Sequence, residues 1–414
     1  MAESTLSRAA LLQGIPRDDH TLSQDRLNIA GKVRSNLFPW KGQFSPQLVH
    51  AFLDTYGGRG DFVLDPFMGS GTVLVEAGRL NRRAFDAEIN PAAYKMAQVY
   101  AFVNFSPQAR RALLEQVGDG LCRAFNATAL FSNSNDSENA SAKEALLSLW
   151  SGASTHSPAG KLLESLIVLL DFYKPGLTPR RILDTWNKLA LTVAGLPFST
   201  RPTEPVNCDA RQLPLPSAVV DLVITSPPYI NVFNYHQQYR ASVEALGCDA
   251  LHVARSEIGS NRKNRGNRFL TVAEYCLDIT QALVEMHRVC KRSARLICVV
   301  GRESNVLKTR FFNGEIVARL GVRCAGLTAE SRQERVFTNR FGARIYEEII
   351  HFRPGATLAP RDRPIDIARD VLNAAIAFCP HESLADLEDA ISRLQEIKPS
   401  SLYHLPDAKI PEKK

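Results

Sequence analysis

The chain has 414 residues, 45% of them apolar, with a formal net charge of +7 and a pI near 9.0. This is enough for one large single-core domain with additions, or for two domains, and the modest positive excess favours a polyanionic partner such as nucleic acid. Eight cysteines scattered singly, with no CxxC pair and no histidine at zinc-ligand spacing, exclude a tetrahedral zinc site and predict a reduced, cytoplasmic protein without metal; no apolar run is long enough to cross a bilayer, and the first twenty residues lack the pattern of an export signal.

Residues 1–30 are polar and poor in aromatics, the composition of a flexible or loosely docked arm. Ser45 and Pro46 then stand at the N-cap and first turn of a predicted helix. The apolar run 61–66 predicts a buried strand, the glycine-containing stretch 66–71 a turn, and 71–80 a helix. Residues 82–91 repeat the strand pattern and end in Glu88 and turn residues, after which a second helix is expected. This β-α-β-α rhythm predicts an α/β fold with a doubly wound, mostly parallel sheet.

The next hundred residues break the rhythm. Four helical patterns, interrupted by a polar low-complexity stretch at 133–142, predict a helical insertion over 105–204. The sheet resumes at 206–208 and again at 219–229, where a nearly continuous apolar run reads as a central strand. A long amphipathic helix is expected over 270–291, a strand over 295–301, and an antiparallel edge hairpin from 322–332 and 345–353. Residues 355–414 pattern as a helical appendage with a polar tail from 398. The domain boundaries that follow are an arm at 1–30, a main domain at 31–354 and the appendage at 355–414.

Two strings carry chemistry, DPFMGSGT at 65–72 and TSPPY at 225–229. In the first, Gly69 and Gly71 permit positive φ and let backbone approach a ligand at the C-terminal edge of the sheet; Asp65 is placed to face an ammonium group, and Ser70 and Thr72 to cap the following helix. The string is not a phosphate loop, because GxxxxGK[ST] is absent and an acid at this edge repels phosphate. Glu88, about twenty residues on, is placed to accept from both ribose hydroxyls of an adenosine, and Asp209, at the next strand end, from its adenine amine.

The second string suits an exocyclic amine. Such an amine on cytosine or adenine is a poor nucleophile, because its lone pair is delocalised into the ring. The Ser226 hydroxyl and the Pro227 carbonyl can take its two hydrogens and turn the lone pair toward a methyl donor, while Pro227 and Pro228 fix the backbone. Tyr229 offers a face for an extruded base.

These residues resemble the S-adenosylmethionine-dependent DNA amino-methyltransferases, in particular the cytosine-N4 group, in which the tetrapeptide is typically SPPY. DPFMGSGT resembles the first motif of that family, which makes Asp65, Phe67, Gly69, Gly71 and Thr72 cofactor contacts. EINP, with Glu88 and Asn90, resembles the second motif, Asp209 the third, and Ser226 to Tyr229 the fourth. KGQFSPQLV resembles the segment that closes over the methionine end of the cofactor, with Lys41, Gly42, Gln43 and Phe44 as contacts. The resemblance spans about 35–105 and 205–355, and it implies a seven-stranded Rossmann-like methyltransferase fold. Many cytosine-N4 enzymes run their two halves in the opposite order, so the DNA-reading region is open between the helical insertion and residues 230–269. The second is favoured by Arg255, Arg262, Lys263, Arg265 and Arg268, interleaved with Asn, Ser and Gly.

The implied activity is methyl transfer from S-adenosylmethionine to N4 of a flipped cytosine in double-stranded DNA, for restriction-modification or genome marking. The protein would be cytoplasmic and nucleoid-associated, with a cognate restriction endonuclease or defence-system subunits as further partners and no membrane. A cytosine-C5 mechanism is rejected, since the sole Cys–Pro neighbours, Cys379 and Pro380, stand in reversed order in the appendage. The rival readings are adenine-N6 methylation, amino methylation of RNA, and a catalytically silent DNA-binding subunit.

Overall fold

A computed structural model describes residues 11–29, 31–129, 136–154, 156–230, 235–260, 264, 266–339, 342–356 and 360–404. Seven strands form one sheet in the order β3-β2-β1-β4-β5-β9-β8: β1 Phe62–Asp65, β2 Arg83–Ala87, β3 Thr203–Val206, β4 Val220–Thr225, β5 Cys290–Gly301, β8 Leu327–Thr338 and β9 Arg344–Pro354. Strands β3 to β5 run parallel, while β9 is antiparallel to β5 and to β8. Two short strands, β6 (Glu303–Val306) and β7 (Thr309–Phe312), form a separate hairpin. The sheet is doubly wound and Rossmann-like, and its strand order reverses between β1 and β4. The crevice outside the carboxyl ends of the strands at that point is where such sheets bind ligands.

Alternation along the central strands splits the core in two. Val63, Leu222, Ile224, Ile297 and Val299 face one cluster; Leu64, Val223, Leu296 and Cys298 face the other. The inserted helices α4 (Pro107–Ala129), α5 (Asp136–Gly152), α6 (Pro158–Leu170) and α7 (Pro179–Ala194) join the first cluster through Leu121, Leu146, Leu166 and Trp186. The appendage helices Pro364–Ala375 and His381–Ser392 join the second through Ile367, Leu372 and Leu387. Insertion and appendage therefore complete the two faces of one sheet. Before them in the chain come α1 (Pro46–Tyr56), α2 (Thr72–Arg79) and α3 (Pro91–Ala97).

Several expectations need correction. Within the expected arm, residues 11–29 are docked: Leu22 and Leu27 are buried, and the chain around Arg17 bridges Arg332 on the edge strand β8, with Asp18 N donating to Arg332 O (2.8 Å) and Arg332 N to Pro16 O (2.8 Å). The physical reason is the exposed edge of β8, whose unpaired backbone groups this segment covers. The hairpin strand begins at Leu327 rather than 322, because the helix Asn313–Arg323 runs into it and Gly326, at φ +69°, makes the turn. The third strand ends at Val206, which leaves Asn207 to donate to the Glu88 carbonyl (2.5 Å). The tail is tied down as far as Tyr403, through Ser400 and Tyr403.

Candidate active site

The C-terminal ends of β1, β2 and β4 converge on a pocket of about 90 Å³ that is partly open to solvent. The segment 66–71 enters it first. Met68 N donates to Ala87 O (2.9 Å) and Gly71 N to Met68 O (3.0 Å), closing a tight turn between β1 and α2. Gly69 has φ +54° and lines the pocket beside Trp40; a Cβ there would sit 3.4 Å from the indole. Gly71, at φ +86°, is required for another reason: a Cβ would lie 2.6 Å from the Tyr100 ring.

Glu88 is the acid at the end of β2. Its Oε2 accepts from Gly69 N (2.9 Å) and its Oε1 from Asn90 N (2.7 Å), so each oxygen keeps a further acceptor position. Burial pushes its pKa up to about 8, against the opposing pull of those two N–H groups. Asn90 lines the same pocket while its side chain caps α3, accepting from Ala92 N (3.0 Å) and Ala93 N (3.3 Å).

Asp65 lies under this surface. Its Oδ1 accepts from Phe67 N (3.0 Å) and from the Thr225 hydroxyl (2.7 Å), joining the ends of β1 and β4. Burial raises its pKa to about 7. Asp86, its register partner on β2, is raised well above the carboxylate range by burial and then by the Asp65 charge. Asp65 therefore ties the loop to β4 through Oδ1 and is not among the residues that line the pocket.

Asp209 also departs from expectation. It lines the pocket, yet its Oδ1 accepts from Arg211 N (2.9 Å) and Nε (2.9 Å), and its Oδ2 from Arg211 Nη2 (2.7 Å) and Tyr403 N (2.9 Å). With two donors on each oxygen, no acceptor position is left for an adenine amine. The cause is Arg211, whose fully buried guanidinium also binds Asp278 (3.0 Å) and the Ser400 and Ser401 carbonyls (2.9 and 2.8 Å).

After β4, Ser226 and Pro228 line the pocket, and Pro227 is buried behind them. Ser226 Oγ is 3.3 Å from Tyr229 Oη. The Tyr229 ring lies against Gly301, where a Cβ would come within 3.2 Å of it, and burial lifts its pKa above the usual tyrosine range. Trp40, Lys41, Gly42 and Phe67 complete one rim. Trp40 stacks on Tyr235 (centroids 6.0 Å, 12° between planes) and on Tyr239 (6.3 Å, 16°).

Phe44 packs against the core instead of lining the pocket. Thr72 opens on a second cavity with Arg34 and Tyr100 and accepts from Asn36 (3.0 Å). Neither Ser70 nor Thr72 caps α2, whose N-cap is Gly71 without a side-chain hydrogen bond. Of the expected DNA-contacting cations, Arg255 is exposed and Arg268 half-buried, while Arg262, Lys263 and Arg265 lie outside the described residues. The motif reading also missed a second wall, Ser256, Glu257 and Ile258. Glu257 is buried, with Oε2 2.7 Å from His236 Nδ1; the Gln237 amide, 2.9 Å from His236 Nε2, leaves Nδ1 as the donor. Nothing in the local sequence distinguishes this glutamate from a surface one. Among the described residues no His, Cys, Asp or Glu cluster could hold a metal, and no helix is long and apolar enough to cross a membrane.

Residues 18–99 match the family model described as DNA methylase. Over 63 residues the chain is 41% identical to the Type II methyltransferase M.MjaII of Methanocaldococcus jannaschii, a match covering 15% of this chain and 12% of that protein. The chain thus spans no more than 12% of the length of this curated relative. Among solved structures, a SAM-dependent methyltransferase from Methanosarcina mazei is 12% identical, with coverage of 74% of this chain and 98% of that one and a TM-score of 0.34. The rRNA methyltransferase aviRa from Streptomyces viridochromogenes is 14% identical, with coverage of 86% and 99% and a TM-score of 0.29. Superpositions this loose add nothing to the topology described above.

Proposed function

We infer, from the match of residues 18–99 to the DNA methylase family model, that the pocket binds S-adenosylmethionine and that the protein methylates an exocyclic amine of a DNA base, cytosine N4. The observation that carries this reading is that Ser226 and Pro228 share one pocket with Gly69 and Glu88. The donor set fits the cofactor. Glu88 has one acceptor position remaining on each oxygen for the two ribose hydroxyls, Gly69 brings bare backbone to the pocket wall, and Lys41 and Gly42 stand at the rim.

When bound, the cofactor supplies a methyl group on a sulfonium, already activated toward attack by a nitrogen lone pair. The protein's part is to position the amine. Whichever of the Ser226 and Tyr229 hydroxyls donates to the other, Ser226 Oγ keeps at least one lone pair to accept. Ser226 Oγ and the Pro227 carbonyl would accept the two amine hydrogens, which turns the nitrogen from planar toward tetrahedral and draws its lone pair out of the ring π system for attack on the methyl group; the sulfur leaves as a neutral thioether and the nitrogen releases one of its two protons to solvent. Tyr229, fixed against Gly301, backs the flipped base. Duplex DNA approaches over the 255–268 segment, on which Arg255 is exposed. Such an activity fits protection against a cognate restriction endonuclease or service in a defence system.

The test is incubation with mixed-sequence duplex DNA and methyl-labelled S-adenosylmethionine, followed by digestion to nucleosides and mass spectrometry. Label in N4-methylcytosine is expected, with a fall of about 10²-fold in Ser226→Ala. Label in N6-methyladenine keeps the mechanism and changes the base. Absence of label on DNA contradicts the reading.

A further inference from the structure

We propose that Glu257, a residue from outside the glycine-loop and SPPY segments, is the group that recognises the adenine amine of the nucleoside in this pocket. The assignment rests on the cofactor reading above and deepens it. Four observations converge. First, the acid whose place at the end of β3 suits that role, Asp209, has both oxygens filled by Arg211 and Tyr403. Second, Glu257 lines the same pocket, is 7% exposed, and its Oε1 has no hydrogen-bond partner among the described residues. A buried carboxylate oxygen left without a donor is costly, and a structure that keeps one in a binding pocket is arranged for a donor that arrives with the ligand.

Third, the other oxygen is anchored. His236 holds Oε2 at 2.7 Å, and Gln237 holds the imidazole in turn, so Oε1 is kept in one orientation before any ligand binds. Fourth, the location is right. Glu257 follows Ser256, whose carbonyl accepts from the same Arg211 that clamps Asp209, and precedes Gly259, which packs on the Tyr229 carbonyl, so it closes the pocket between the end of β3 and the SPPY segment. Glu88 at the end of β2 fixes the ribose, and the base then extends toward β3. Ile89, Pro228 and Ile258 also line the pocket and give apolar surface for a purine. A carboxylate oxygen still lacking a donor selects a ring bearing an amino group over one that lacks it.

The experiment uses the full chain and two probes, S-adenosylhomocysteine and its analogue with hydrogen in place of the 6-amino group, each titrated by calorimetry. The wild type should bind the amino form at least about tenfold more tightly. In Glu257→Ala, and in Glu257→Met, which keeps the volume filled, that ratio should fall to within about twofold while affinity for the deamino form is unchanged; Glu257→Gln, which keeps an acceptor oxygen, should retain most of it. A wild-type ratio near one overturns the assignment without any variant. Variants that weaken both probes alike overturn it too, since that marks a merely structural role. Binding of neither probe by the wild type removes the cofactor reading along with it, whereas equal binding of both removes this assignment alone.

Discussion

At the end of β2, Glu88 accepts one backbone N–H on each oxygen and faces the pocket; at the end of β3, Asp209 accepts two donors on each oxygen and is closed to any ligand. Both acids end strands on the same edge of the same sheet. What separates them is a single buried cation two residues after Asp209. Arg211 has no water to solvate it and recruits every nearby acceptor, including Asp278 and the carbonyls of the C-terminal segment. Glu88 has backbone donors alone, and these leave part of its capacity unused. An acid at a strand end is thus a ligand site where the fold partners it lightly, and a structural counter-ion where the fold supplies a charge.

Removing the cation should break that contrast with the largest effect. Arg211→Met leaves Asp209 and Asp278 buried without a counter-charge, and a loss of about 3–5 kcal/mol in urea unfolding is expected. Adding Asp209→Asn should restore part of it. A loss under about 1 kcal/mol would show that Arg211 is not what holds Asp209.

Glu88 can be examined through pH. Burial holds its pKa near 8, and two hydroxyl donors favour the ionised form, so binding a ribose pulls the proton off. Nucleoside affinity should therefore rise as pH goes from about 7 through about 8 and level off above, up to about tenfold in all. A flat profile in titrations across that range would separate Glu88 from the ribose.

Asp86 sharpens the comparison from the inside of the sheet, as an acid that the fold neither pairs with a cation nor offers to a ligand. Its folded pKa is raised, so the stability linked to its proton is fully present below the unfolded value near 3.8 and is lost as pH rises through the folded value. Asp65, at about 7, adds a loss of the same sign. Asp86→Asn should melt higher than the wild type at pH 8, with the gain shrinking toward pH 5. A variant that melts lower at both would show that the carboxyl is needed in its charged form.

Much of this was legible from sequence because it is local. A glycine loop between an apolar strand and a helical pattern, and two prolines after a second strand, place themselves at one sheet edge once the strands are parallel. The same local reading assigned Asp209 to a ligand, because the partners that close it come from Tyr403, 194 residues away, and from a guanidinium whose burial no short window reveals. Residues 11–29 read as an arm for the same reason: the edge strand they cover lies some 300 residues later, where Arg335 donates to the Leu27 carbonyl (2.8 Å) and Asn28 accepts from Val336 N (2.8 Å). Glu257 escaped notice because a run of cations beside it reads as a solvated nucleic-acid loop, whereas residues 256–260 fold inward onto the SPPY segment, with Gly259 at φ +72° packed against the Tyr229 carbonyl.

The most direct test of the central claim, that one pocket at the β1–β4 reversal binds the methyl donor through Glu88, is calorimetric titration of wild type and Glu88→Ala with S-adenosylhomocysteine at pH 8.5. The account predicts one site in the wild type and at least about tenfold weaker binding in the variant. Equal affinities in the two proteins, or no binding by the wild type, would contradict it.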